Sequence, residues 1–355
     1  MTVQSDMALL AAGSYWDIRQ GEFNTETGKD TDNRAPLPAG WTLLPQFDIS
    51  RSGINSSLIG DGFSARVYQG PGGQIVISFA GTEFGSTVAG AVADFLSGNI
   101  PLAAGRYAEQ AYQAALLYQR VKADPSLSDN ISFTGHSLGG GLASAMAVWF
   151  DRPAYVFAPA PFQRSVDAFQ SSTIPDWLSA LVLPRLRFKL GAAADPALTT
   201  YDPVSDFATR ELNVQAWAVK GEVLEDNLGL LFSWIEGSTT PLYSNPANSL
   251  PALAKHSIDL HVAALITPNF ETQANTVPTA LERLFDDALY GYKVTGNQQN
   301  VLVKLIRNEV GVRDESSGNI LLPANGMLTH FANDLGKLGT NIAGLNQAAQ
   351  SALIA

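Results

Sequence analysis

The sequence predicts an α/β fold in which a mostly parallel sheet is covered by helices on both faces. Three observations carry this expectation. Short apolar runs alternate with segments whose apolar residues recur at helical spacing. The run Ile75-Val76-Ile77-Ser78-Phe79 is continuous and β-branched, as suits a strand buried on both faces. Of 355 residues, 46% are hydrophobic and 15% charged, enough to bury a sizeable core and to exclude global disorder.

In chain order, residues 5–20 read as a helix and 21–60 as a polar excursion rich in Gly, Pro and Asn. Phe63–Gly70 and Gly73–Thr82 read as paired strands, with Gly-Pro-Gly-Gly making the turn. A helix follows over Ala108–Asp124, a strand over Asn130–Gly135, and a small-residue helix over Leu142–Phe150. Pro153–Pro161 and Asn213–Gly221 are further buried-strand candidates, separated by a long insertion at about 162–212. Past about residue 265 strand signals cease and the pattern becomes helical and polar. The expected division is therefore 1–268 for the main unit and 269–355 for a helical extension.

The net charge of −11 argues against a nucleic-acid partner and predicts no long-range attraction to anionic membranes. Without cysteine, disulfides and thiolate chemistry are excluded. The N-terminal stretch has no basic region before its short apolar patch, so it is not read as a Sec-type signal, and no window is long enough for a membrane span. The expectation is a soluble bacterial protein, exported without a Sec signal or else cytoplasmic. No metal or organic cofactor is implied, and no pattern speaks to oligomeric state.

The chemistry concentrates at Gly135-His136-Ser137-Leu138-Gly139. This G-x-S-x-G stands between a strand and a helix, the setting in which it carries meaning. A serine hydroxyl is a weak nucleophile and must project clear of the sheet toward a base. A tight strand-to-helix turn achieves this at the cost of strained backbone angles, and a Cβ on the flanking residues would strike the neighbouring strand or helix. The helix N-terminus adds free N–H groups, that of Leu138 among them, beneath a developing oxyanion.

"FTGHSLGGGLASA" together with "IVISFAGTEF" resembles the class 3 lipase family over roughly residues 60–265. The resemblance implies an α/β-hydrolase core with an inserted lid. It also implies that Thr82, in Ala80-Gly81-Thr82, helps to form the oxyanion hole; Ala80 stands where the family usually has Arg. Asp94 matches the family's Asp-Trp aspartate and is read as structural.

Of the four histidines, His136 lies inside the elbow and is not read as the base, and His330 is read as a solvated residue of the tail. His256 and His261 both satisfy the order serine, acid, histidine. His256 follows a loop and precedes an apolar-periodic helix, which favours it over His261. The acid should follow a buried strand and accept the imidazole N–H. Glu222 is the first carboxylate beyond Asn213–Gly221, with Asp202 and Asp226 as alternatives. Ser137, His256 and Glu222 are thus the expected triad.

In the insertion, Ile174, Trp177, Leu178, Leu181 and Val182 make an apolar stripe followed by Arg185, Arg187 and Lys189. Asn227–Gly237 is a second apolar stretch. Both read either as plain core or as covers that open at a lipid surface, with the three cations meeting phosphate head groups. The expected activity is hydrolysis of a lipid ester, triacylglycerol or phospholipid, through an acyl-enzyme. A soluble-ester esterase, a phospholipase acting as an antibacterial or host-directed effector, and a non-catalytic module of a larger exported protein are the alternatives.

Overall fold

The computed structural model describes residues 1–15, 23–24, 29–30, 35–49, 63–81, 100–160, 162, 177–222, 224, 239–243, 255–267, 269–277, 280, 301–310, 326–346, 348–349 and 352. Nine strands are present among these. β1 (Phe23–Asn24) and β2 (Lys29–Asp30) form a small antiparallel pair. The other seven form one sheet in sequential order: β3 (Thr42–Leu43), β4 (Ala65–Gln69), β5 (Ile75–Phe79), β6 (Ile131–His136), β7 (Ala154–Phe157), β8 (Val214–Val219) and β9 (Thr239–Leu242). β3, β4 and β5 pair antiparallel, and β5 to β9 run parallel. The β4–β5 hairpin turns where expected, with Gly72 and Gly73 at φ of 71° and 78°. The fold is α/β with a mostly parallel sheet.

The helices are α1 (Val3–Gly13), α2 (Ile100–Lys122), α3 (Leu138–Phe150), α4 (Trp177–Leu190), α5 (Pro196–Thr200), α6 (Phe207–Arg210), α7 (Ile258–Ile266), α8 (Phe270–Thr276), α9 (Val301–Glu309) and α10 (Met327–Ile342). From β5 onward the chain crosses the sheet in one direction. Right-handed crossovers taken in one direction fall on one face. Accordingly α2, α3 and α4 share one apolar cluster with Ile75, Ile77, Phe79, Phe133 and Val156. The other face is left to segments from the two ends of the chain. There α1 packs with α7, α8, α9 and α10 over Val76, Phe157, Trp217 and Val219.

Beyond its polar first turn α1 is apolar all round, "MALLAA", and Met7 to Ala12 are fully buried. Two hydroxyls of the sheet hold it: Ser78 Oγ donates to the Leu10 carbonyl at 3.0 Å and Thr134 Oγ1 to that of Met7 at 3.1 Å. Arg66 of β4 pairs with Asp48 at 3.4 Å, both buried.

The insertion is part core. Val182, Leu183, Leu186 and Leu190 of α4 are buried in the cluster that contains α2. Residues 163–176, with Ile174, and 225–238, with the second apolar stretch, lie outside the described residues.

Candidate active site

β6 runs between β5 and β7, with Gly135 opposite Phe79 and His136 opposite Phe157. The chain then turns into α3 within one residue. That residue is Ser137, at φ 58° and ψ −129°, a region that few non-glycine residues enter. Its N–H donates to the Phe157 carbonyl at 3.1 Å, and its own carbonyl accepts from Gly141 and Ala160 at 3.1 and 2.8 Å. The glycines are required by space. A Cβ on Gly135 would run into the Gly139 carbonyl, and one on Gly139 into the end of β5 at Phe79 and Ala80. α3 begins at Leu138, four residues earlier than the apolar pattern indicates, and Gly139–Gly141 form its first turn. As the first helical residue, Leu138 has an N–H without an intrahelical acceptor, beside Ser137.

His256 stands immediately before the N-cap of α7, where Ser257 Oγ accepts the Asp259 N–H at 3.3 Å. Its Nε2 is 2.9 Å from Ser137 Oγ and its Nδ1 is 2.5 Å from Glu222 Oε2. Glu222 follows β8, is fully buried, and also accepts the Leu224 N–H through Oε2 at 3.0 Å. Ser137 and His256 are each 7% exposed, so the hydroxyl–imidazole contact is nearly dry. A carboxylate that can only accept fixes the imidazole proton on Nδ1 and leaves Nε2 as the acceptor for the serine hydroxyl.

The alternatives fall elsewhere. Asp202 is exposed and caps its own turn, accepting the Val204 N–H at 3.0 Å. Asp226 lies outside the described residues, as do Thr82 and Asp94. His261 lies within α7, with Nδ1 3.1 Å from the Ser257 carbonyl. Its complete burial lowers its pKa to about 4, so it stays neutral in the ordinary range. His330 is exposed on α10. The three insertion cations have partners within the molecule, Arg185 being half-exposed with Nη2 3.9 Å from Glu109 Oε2. Arg187 donates to the carbonyls of Leu198 and Tyr201, and Lys189 Nζ meets Glu109 at 2.6 Å. The physical reason is that carbonyls at a helix end and a nearby carboxylate saturate them.

Sequence reasoning missed the neighbours of His136. Its Nδ1 lies 3.0 Å from the Tyr15 hydroxyl and its Nε2 2.7 Å from the His256 carbonyl oxygen. Among the described residues no group of three or more His, Cys, Asp or Glu is placed to hold a metal ion.

A family model for a Tle-like phospholipase domain matches residues 6–183, half of the chain. The chain belongs to this phospholipase-like family. The matched stretch includes most of α1, the β4–β5 hairpin and the elbow. It ends before Glu222 and His256, which the fold brings to Ser137 from the unmatched half. Comparison with curated proteins gives no match. A phospholipase-like family implies hydrolysis of lipid esters at a general level, and among the described residues no helix is long and apolar enough to cross a membrane.

Proposed function

We propose that the chain is a serine hydrolase of phospholipid acyl esters that works through an acyl-enzyme. The observation that carries this reading is the hydrogen-bonded series Ser137 Oγ, His256 and Glu222, with separations of 2.9 and 2.5 Å. Family membership supports the lipid ester as substrate. The likeness of the elbow and of Ala80-Gly81-Thr82 to class 3 lipases is consistent with the same chemistry.

In this reading Ser137 Oγ attacks the ester carbonyl carbon while His256 Nε2 takes its proton. The resulting imidazolium is stabilised by Glu222, which accepts from Nδ1 throughout. The carbonyl oxygen, now negative, takes the Leu138 N–H, with Thr82 as the second donor. His256 returns its proton to the leaving alcohol as the carbon–oxygen bond breaks. Water then attacks the acyl-enzyme, losing its proton to His256, and Ser137 recovers a proton as the fatty acid leaves. The strained serine and the glycines around it are fixed before substrate arrives, so little reorganisation is left for the reaction.

The test is hydrolysis of zwitterionic phosphatidylcholine vesicles and of soluble p-nitrophenyl butyrate by wild type and Ser137→Ala. Turnover of both substrates by wild type, with Ser137→Ala lower by about 10⁵-fold or more, is expected. Turnover of the soluble ester alone removes the phospholipid assignment. Vesicle hydrolysis that survives Ser137→Ala removes the serine mechanism.

A further inference from the structure

A second hydrogen-bonded series lies against the first and reaches back to α1. Tyr15, two residues beyond α1, accepts the Gly81 N–H on its hydroxyl oxygen at 2.9 Å. The same hydroxyl is 3.0 Å from His136 Nδ1 and 3.2 Å from the His136 carbonyl oxygen. His136 Nε2 is 2.7 Å from the carbonyl oxygen of His256. A carbonyl only accepts, so Nε2 must carry the proton. The neutral ring then offers a lone pair at Nδ1, which the Tyr15 hydroxyl satisfies as donor. The His256 carbonyl calls for the proton on Nε2, and the Tyr15 hydroxyl is placed to favour the same tautomer.

The three segments joined this way all border the site. Gly81 lies two residues beyond β5 and precedes Thr82; His136 precedes Ser137 in the elbow; His256 is the proposed base. The rings of His136 and His256 lie 4.7 Å apart between centroids, and both residues are 7% exposed. The ring of His256 must hold its contacts to Ser137 and Glu222 while it gains and loses a proton. Fixing its backbone carbonyl leaves only side-chain rotation as a way to lose them.

We infer that Tyr15 and His136 are positioning residues that act on the reaction through the backbone of His256. This rests on the reading of Ser137, His256 and Glu222 as the reacting groups. A merely structural hydrogen bond at this place lowers the melting temperature and leaves turnover per active site unchanged. A positioning bridge does the reverse.

The experiment compares wild type, Tyr15→Phe, His136→Leu and the double variant on p-nitrophenyl butyrate, with active sites counted by fluorophosphonate titration. Each single variant is expected to lower kcat about tenfold, with KM within about twofold. The double variant is expected to lose no more than about tenfold in all, because both changes break one bridge. Unchanged kcat per site, or a double variant near the product of the single losses, overturns the inference. A second measurement needs no variant: 15N NMR of histidine-labelled protein, with only four histidines to assign. It is expected to find the His136 proton on Nε2, and a proton on Nδ1 overturns the bridge even where a variant does not fold. A wild type that neither labels nor turns over overturns the functional reading and the bridge with it. An active wild type matched by Tyr15→Phe overturns the bridge alone.

Discussion

Ser137 is held at φ 58° by a strand behind it and a helix ahead of it, and His256 and Glu222 reach it from later in the chain. If these groups act as a unit, His256→Ala should lower kcat about as far as loss of the serine does, on the order of 10⁵–10⁶-fold. Glu222→Gln keeps the shape but reverses the hydrogen-bond sense at Nδ1, and should lower kcat about 10⁴-fold in steady-state assays. His261 supplies a stability test. Its pKa in the fold, about 4, lies below the ordinary value of 6.5. The unfolded chain therefore binds the proton first, and the contribution is whole above pH 6.5 and lost as pH falls toward 4. Urea denaturation should show His261→Gln shedding less stability than wild type over that interval, by on the order of 3 kcal/mol. The juxtaposition of Ser137 and His256 is legible in the sequence because each side chain stands at a marked junction: two glycines around one, a helix start after the other. Glu222 is marked only by following a strand, so it competed with Asp202 and Asp226. Tyr15 carries no mark, since its contact with a residue 121 positions away leaves no periodic trace.

At the scale of elements, the packing of the insertion depends on Asp195. Its Oδ1 accepts the Ala197 N–H at 2.8 Å, capping α5, while its Oδ2 meets Lys122 of α2 at 2.6 Å. Burial raises its pKa, but Lys122 and the Ala197 N–H outweigh this and the net shift is downward. Asp195→Ala should cost about 1–3 kcal/mol in thermal or urea unfolding, the pair being partly screened where Lys122 meets solvent. The stability that the ionised Asp195 contributes is present above the ordinary carboxylate pKa and lost as pH falls through the lowered one, so Asp195→Asn and wild type should converge in acid. Buried strands and amphipathic helices announced themselves by period. The early start of α3 did not, because Gly139–Gly141 have poor helix propensity and are chosen for close approach to β5 and to Pro159–Ala160. The edge strands β3 and β9, of two and four residues, are too short for alternation to show.

For the whole molecule, sequential strand order puts the crossover helices on one face and obliges the chain ends to cover the other. α1 is thus a core element, in contact with β6, β7 and α7. Leu10→Ala should cost about 2–5 kcal/mol in urea unfolding, a core penalty and not the small effect usual near a chain terminus. The helices beyond residue 268 contribute Phe270, Leu302, Leu305, Leu328 and Leu335 to that same cluster.

In the proposed reaction a single hydroxyl, that of Ser137, becomes acylated. Peptide mapping by mass spectrometry after reaction with a fluorophosphonate tests it most directly. One adduct on Ser137, abolished in His256→Ala and in protein unfolded before labelling, is the predicted result. No adduct on the folded wild type, or an adduct at another serine accompanied by loss of ester hydrolysis, contradicts it.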